Sequence, residues 1–219
     1  MKTVAVIPAL NENKHLQEVV DGALRHVDQV MVIDDGSKQP LHSIIHPNNR
    51  VHVLRHVINL GKGAALKTGV VWASQHDFQL AVFIDADGQH DPREIPSLLD
   101  PIQRGVSDIV FGIRKFHGRM PLMARFGNIV LTKAMQMLYR IKIDDTQSGY
   151  RAMRLSVFDR ISWQSPRYAV ETEMIVNTGK CAIPFAQVPI STIYHDKYKG
   201  TTMIDGVRIL LNMVKWRIL

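Results

Sequence analysis

The feature that most constrains this chain is the alternation, through its first half, of short β-branched runs with longer stretches of helical periodicity. Strand-like runs at 3–7, 30–33, 51–54 and 80–84 are each followed by a helix-like segment, at 16–24, 41–45, 64–73 and 95–102, and a fifth strand falls at 108–112. Alternation of this kind predicts an α/β fold: a mostly parallel, Rossmann-like sheet flanked by helices, since parallel neighbours require a crossover connection. In such sheets ligands bind beyond the carboxyl ends of the strands. The chemically unusual residues fall there: Asn11-Glu12 after the first run, Asp34-Asp35-Gly36-Ser37 after the second, 59–63 after the third, 85–89 after the fourth and Arg114-Lys115 after the fifth. Five loops on one rim predict a binding cleft.

Further along, a Met- and Leu-rich helix is expected at 119–140, then a polar loop at 144–149, a strand near 150–153, a helix at 170–180 and a strand ending at Pro189-Ile190. One domain over 1–202 is expected, followed by an amphipathic helix at 203–219. On a helical wheel Asp205, Arg208, Asn212 and Lys215 form a polar stripe, while Ile204, Val207, Leu210, Leu211, Val214 and Ile218 form a broad apolar face. Such a helix can lie in a membrane interface, with its Arg and Lys on anionic headgroups and Trp216 at the boundary; it can equally pack on its own domain.

With 219 residues, 46% hydrophobic and 21% charged, the chain can bury a substantial single core, which excludes a disordered protein. The single cysteine, Cys181, excludes an internal disulfide framework and a Cys-based zinc site and favours a reducing compartment. Met1-Lys2-Thr3 leads straight into a strand-like run without a signal-peptide pattern, and no apolar run is long enough to span a bilayer, so a cytoplasmic location is expected. A net charge of +7 favours anionic partners. Nucleic acid is not expected among them: aromatic content is 7%, basic and aromatic residues are not interleaved, and an empty acidic loop would repel phosphate.

That acidic loop is 83-FIDADGQHDP-92. A buried strand delivers Asp85 and Asp87 into a segment that also carries Gln89, His90 and Asp91, and three carboxylates within seven residues repel one another unless a cation offsets them. The alternative is a polar turn whose Asp side chains cap the helix after Pro92. Gly61-Lys62-Gly63-Ala64-Ala65-Leu66-Lys67-Thr68 fails as a P-loop because Leu66 stands where a glycine is required. A glycine-rich helix entry carrying Lys62 remains, suited to a nucleotide phosphate or to close packing. Asp34 and Asp35 suit a ribose hydroxyl or a base N–H, or a tight turn.

Pro8-Ala9-Leu10-Asn11-Glu12, Ile33-Asp34-Asp35-Gly36-Ser37, Asn59-Leu60-Gly61-Lys62-Gly63, Asp85-Ala86-Asp87-Gly88-Gln89-His90-Asp91-Pro92 and Gln147-Ser148-Gly149-Tyr150-Arg151 occur in that order. Together they resemble the family 2 glycosyltransferases of the GT-A fold, in the branch of dolichol-phosphate mannose and polyprenyl-phosphate glucose synthases. The resemblance covers nearly the whole chain. It implies a metal-dependent, inverting transfer of a sugar from a nucleotide-diphosphate donor of the GDP-mannose or UDP-glucose type to a polyprenyl phosphate, at the inner face of the membrane. By the same resemblance Pro8, Leu10, Glu12, Ile33, Asp35 and Ala86 would line the nucleotide. Asp85, Asp87 and Gln89 would hold Mg²⁺ or Mn²⁺ against the diphosphate, with Lys62 and Arg114 beside the phosphates. A late arginine and lysine of the family align with Lys197 and Met203, so the second charge is lost here unless Lys199 supplies it. An ionised phosphate acceptor needs no general base, whereas a hydroxyl acceptor would; Glu171, Glu173 and Asp145 are the base candidates, and Arg114, Arg125 and Arg151 the candidate clamps for a second phosphate.

Overall fold

A computed structural model of the protein describes residues 1–114, 122–167, 169–193 and 203–218. In chain order the elements are β1 (Thr3–Ala9), α1 (Leu16–Ala23), β2 (Gln29–Asp34), β3 (Val51–Arg55), α2 (Lys62–Gln75), β4 (Leu80–Phe83), α3 (Ile95–Gln103), β5 (Ile109–Arg114), α4 (Leu122–Tyr139), β6 (Arg151–Arg154), α5 (Phe158–Ile161), α6 (Val170–Lys180), β7 (Phe185–Ile190) and α7 (Met203–Ile218). The expected helix at 41–45 is a single 3-10 turn, Leu41–Ser43. Two buried Asp34 acceptors hold the start of that segment, one taking the Ser37 N–H at 2.8 Å and the other the Leu41 N–H at 3.1 Å. These side-chain bonds compete with helix propagation.

The strands form one seven-stranded sheet in the order β3-β2-β1-β4-β6-β5-β7. The pairs of β1 with β2 and β4, β2 with β3, and β5 with β7 are parallel, whereas β6 runs antiparallel between β4 and β5. Both faces are covered, which explains why the strands read as unbroken apolar runs rather than as alternating ones. Val4 and Val6 face a core shared with α2, α4 and α6, while Ala5 and Ile7 face a second core under α1 and α3. The mostly parallel, helix-flanked architecture expected from the sequence is the one observed.

Helix α7 packs on that first core rather than standing apart from it. Ile209 and Met213 are buried in it, the Tyr139 hydroxyl of α4 donates to the Met213 carbonyl at 2.6 Å, and Lys180 reaches the Trp216 carbonyl at 2.6 Å. This corrects the helical-wheel reading. The packing seam is Ile209 and Met213, which that wheel left out of the apolar face, whereas Val207, Leu211 and Val214, assigned to that face, are 58%, 64% and 41% exposed.

The glycines at the entry to α2 are explained by backbone packing. The loop 163–167 lies directly on this turn: Trp163 Nε1 donates to the Gly63 carbonyl at 2.7 Å, and the Ala64 N–H donates to the Pro166 carbonyl at 3.2 Å. Gly61 adopts φ +98°, and a Cβ on Gly63 would collide with the Ser165 carbonyl oxygen. Backbone on both sides leaves little to give. Gly63→Ala is therefore expected to cost about 1–3 kcal/mol, the range for overpacking, at roughly 2–4 °C of Tm per kcal/mol for a domain of this size. Thermal unfolding checks this, and an unchanged Tm would contradict the packing account.

Candidate active site

Four of the five loops named from the sequence meet at the carboxyl edge of the sheet around a cleft of about 360 Å³. The end of β1 contributes Pro8, Ala9, Leu10 and Glu12; β2 leads to Asp35; β3 leads to Asn59, Gly61 and Lys62; and β4 leads to Asp85, Ala86 and Asp87. A further wall residue, Arg167, comes from the loop that packs on the entry to α2. No sequence motif marks Arg167, because its place depends on contacts that span about a hundred residues, such as that of Trp163 with Gly63.

An ion triad lies at one end of the cleft. Lys62 Nζ is 2.6 Å from Asp85 Oδ1 and 2.8 Å from Glu171 Oε1, so it joins the start of α2, the end of β4 and the start of α6. Burial alone would push the Lys62 ammonium toward neutrality, but Asp85 and Glu171 override it and raise its pKa above the ordinary value. Burial likewise opposes ionisation of Asp85, and Lys62 returns it below the usual carboxylate range. Asp87 lacks such a partner: burial and the neighbouring Asp85 push it up to about 6. Its Oδ1 accepts the Gln89 N–H at 3.0 Å, which shapes the turn. His90 is buried behind the pair, 3.8 Å from Asp85, and burial lowers it to about 4, so it is neutral at pH 7.

The remaining acidic side chains of the rim are engaged with the protein itself. Asp35 lines the cleft, yet Oδ1 contacts His56 Nδ1 at 2.7 Å and accepts the Leu60 N–H at 3.0 Å, while Oδ2 accepts Asn59 Nδ2 at 3.1 Å and the Gly61 N–H at 2.7 Å. It anchors the loop that carries Lys62. Asp91 holds the Arg93 backbone and guanidinium at the 3-10 turn Pro92–Glu94, so the capping alternative holds for this aspartate.

Several expected site residues lie elsewhere. Ile33 is fully buried in the core and does not line the cleft, because its side chain points below the sheet edge into the packing with α2. Gln89 and Arg114 are likewise outside the lining, and Arg114 forms a two-pronged pair with buried Asp145, at 2.6 and 3.0 Å. Glu173 is no free base: Oε1 and Oε2 accept the Gln164 and Ser165 N–H groups, each at 2.8 Å, fixing the loop that presents Arg167. Arg151 is 2% exposed and is no phosphate clamp. Its guanidinium donates to the carbonyls of Ser148, Glu171 and Thr146, stapling the 146–148 loop to α6. Lys115, Lys197 and Lys199, and the side chains of Arg125 and Met203, lie outside the described residues.

Among the described residues no group of three or more His, Cys, Asp or Glu side chains converges as a ready-made metal cage. The pair Asp85 and Asp87 is the set that could hold a divalent cation. The pair fits one: the raised pKa at Asp87 marks a carboxylate short of positive charge, and two carboxylates leave the rest of a hard cation's shell to phosphate oxygens and water.

Comparison with known proteins places this geometry in context. UDP-N-acetylglucosamine–dolichyl-phosphate N-acetylglucosaminyltransferase of Methanococcus voltae is 31% identical over 95% of this chain and 93% of its own. Polyprenol monophosphomannose synthase of Mycolicibacterium smegmatis is 28% identical over 98% of this chain and 85% of its own. Glucosyl-3-phosphoglycerate synthase of Mycobacterium tuberculosis, solved with Mn²⁺, uridine diphosphate and phosphoglyceric acid, shares the fold with a TM-score of 0.75 at 19% identity, covering 99% of this chain and 78% of that one. The family description that matches residues 4–162 is glycosyl transferase family 2. With most of the chain matched, and with the GT-A sheet and its rim cleft in place, the chain belongs to glycosyl transferase family 2.

Proposed function

We propose that this glycosyltransferase moves a sugar from a nucleotide-diphosphate donor to the phosphate of a polyprenyl phosphate, with inversion at the anomeric carbon. The donor half is supported by the cleft. Pro8, Leu10 and Ala86 offer apolar walls to a nucleoside, and Lys62 and Arg167 offer positive charge to a diphosphate. Asp85 and Asp87 would hold Mg²⁺ or Mn²⁺ there. When bound, such a cation stabilises the negative charge that accumulates on a departing nucleoside diphosphate.

The acceptor half rests on one observation. None of the carboxylates nominated as general base presents a free oxygen to the cleft: both oxygens of Glu173 accept backbone N–H groups, Asp145 is paired with Arg114, and Glu171 is bonded to Lys62 with its other oxygen sealed from solvent. A hydroxyl acceptor would need a base; a polyprenyl phosphate is ionised already. Its oxygen attacks the anomeric carbon as the bond to the diphosphate breaks, and the bonding pair leaves with the nucleoside diphosphate. No proton has to move. The names of the Methanococcus and Mycolicibacterium relatives, which specify dolichyl phosphate and a polyprenol, support the same acceptor class.

A lipid acceptor makes contact with the inner face of a membrane the natural setting. Among the described residues no helix is long and apolar enough to cross one. Exposed Val207, Leu211 and Val214 on α7, beside exposed Arg208, Lys215 and Arg217, form the face through which peripheral contact is proposed.

Two outcomes are expected. Asp87→Ala lowers transfer at least about 10²-fold, given the several kcal/mol that cation stabilisation contributes, and leaves Tm within about 2 °C because an unfavourable charge is removed. Turnover by the parent that survives EDTA would overturn the metal assignment. Val207→Ser with Leu211→Ser keeps the fold, since neither side chain is in the core, but reduces co-sedimentation with anionic liposomes at low salt. Unchanged sedimentation would remove α7 from the membrane face.

A further inference from the structure

The acidic pair of the cleft already has a cation beside it. Lys62 Nζ lies 2.6 Å from Oδ1 of Asp85, one of the two carboxylates that would hold a divalent ion, and its second partner, Glu171 Oε1, is only 2.8 Å away. The loop 147–149 closes over this contact. A Cβ on Gly149 would lie 2.7 Å from Lys62 Nζ and 2.8 Å from Asp85 Oδ2, so a side chain there would displace the two charged groups. The other oxygen of Glu171 is buried and has no hydrogen-bond partner. Glu171 is therefore a buried acid beside Lys62 with acceptor capacity to spare.

These contacts define two arrangements of charge. In one, Lys62 pairs with Asp85 and reaches Asp87 only at longer range. In the other, a divalent cation takes Asp85 and Asp87, and Lys62 keeps Glu171 alone. An ammonium and a divalent cation crowded on one carboxylate repel each other strongly in a site of low dielectric. The negative charge of a diphosphate would relieve that repulsion, because it accepts from the ammonium and coordinates the metal at once.

We infer that Lys62 is a resident counter-ion, positioned by Glu171 and Gly149, which competes with the divalent cation for Asp85 until a nucleoside diphosphate is present. Metal and diphosphate then bind weakly apart and strongly together. The free enzyme is kept from filling its site with metal alone, and the lysine is delivered to the phosphates only when both arrive. Coupling of this kind is reciprocal: the factor by which diphosphate strengthens metal binding equals the factor by which metal strengthens diphosphate binding. The inference rests on the proposed donor site and adds a role for Lys62 before the donor binds.

The test is calorimetric titration of Mn²⁺ into the full chain, with and without UDP or GDP, for the parent, Lys62→Met, and Lys62→Met combined with Glu171→Gln. The double variant removes both members of the pair, so no buried carboxylate is stranded and no new acidic ligand is gained if the single variant fails to fold. Arg167→Met is the control for loss of a positive charge elsewhere in the cleft. We expect Mn²⁺ alone to bind the Lys62 variants at least about 10-fold more tightly than the parent, within the usual span of coupling factors, and the enhancement by nucleotide to shrink by a similar factor. Arg167→Met should change Mn²⁺ affinity less than about 2-fold, as expected for a cation outside the triad. Lys62 variants no tighter than the parent, or an equal gain from Arg167→Met, would overturn the counter-ion role. A parent that binds Mn²⁺ with neither nucleotide would instead overturn the donor site itself.

Discussion

Lys62 ties together three stretches that are remote in sequence: the entry to α2, the end of β4 at Asp85 and the start of α6 at Glu171. A buried ammonium with two carboxylates gains little net stability, because desolvation of the three ions offsets much of their attraction. Its value lies in geometry. Removing Lys62 would leave two carboxylates without their shared counter-charge, so the ammonium interlocks the positions of the three elements at the rim where the cleft opens. The 163–167 loop adds a second tie to the same entry, through Trp163 Nε1 on the Gly63 carbonyl and Pro166 on the Ala64 N–H. Together these contacts fix Arg167 and Lys62 as walls of the cleft.

The acidic residues of the rim divide according to what their oxygens touch. Asp34, Asp35 and Glu173 accept backbone N–H groups and act as rigid staples for loops that lack regular hydrogen bonds of their own. Asp145 holds Arg114 and is kept ionised by it against the effect of burial. Asp87 has its pKa raised to about 6, and it sits beside Asp85 on the cleft surface. Strongly perturbed carboxylates in a cleft mark functional positions, and here the causes are burial and then an acidic neighbour. A site built this way fits the proposed binding of a divalent cation together with an anionic ligand.

Much of this was legible in the sequence, and the losses have identifiable causes. β-branched runs separated by helical periods sufficed for β1 to β5 and for the rim position of Asp85, Asp87, Glu12 and Lys62, because strand ends and loops are local features. The antiparallel insertion of β6 between β4 and β5 is a long-range pairing with no local signature. Ile33 reads as a rim residue from its neighbours in the motif, but the period of the strand turns its side chain into the core. Glu173 reads as a base by residue type, and only the fold reveals that two N–H groups occupy it. On α7 the wheel identified a polar and an apolar side, but the tertiary seam falls on Ile209 and Met213, which the wheel had not counted as apolar face.

The central claim is that a cleft with an acidic pair, in which Glu171, Glu173 and Asp145 are all engaged by other groups, serves an acceptor that is already ionised. Incubating the protein and Mn²⁺ with radiolabelled GDP-mannose, UDP-glucose or UDP-N-acetylglucosamine, and with either a polyprenyl phosphate or a water-soluble hydroxyl acceptor, tests it most directly. The account predicts that label from one of these donors enters the organic phase on extraction, only when the polyprenyl phosphate is present. Label transferred to the hydroxyl acceptor, with none extracted into organic solvent from any donor, would contradict it.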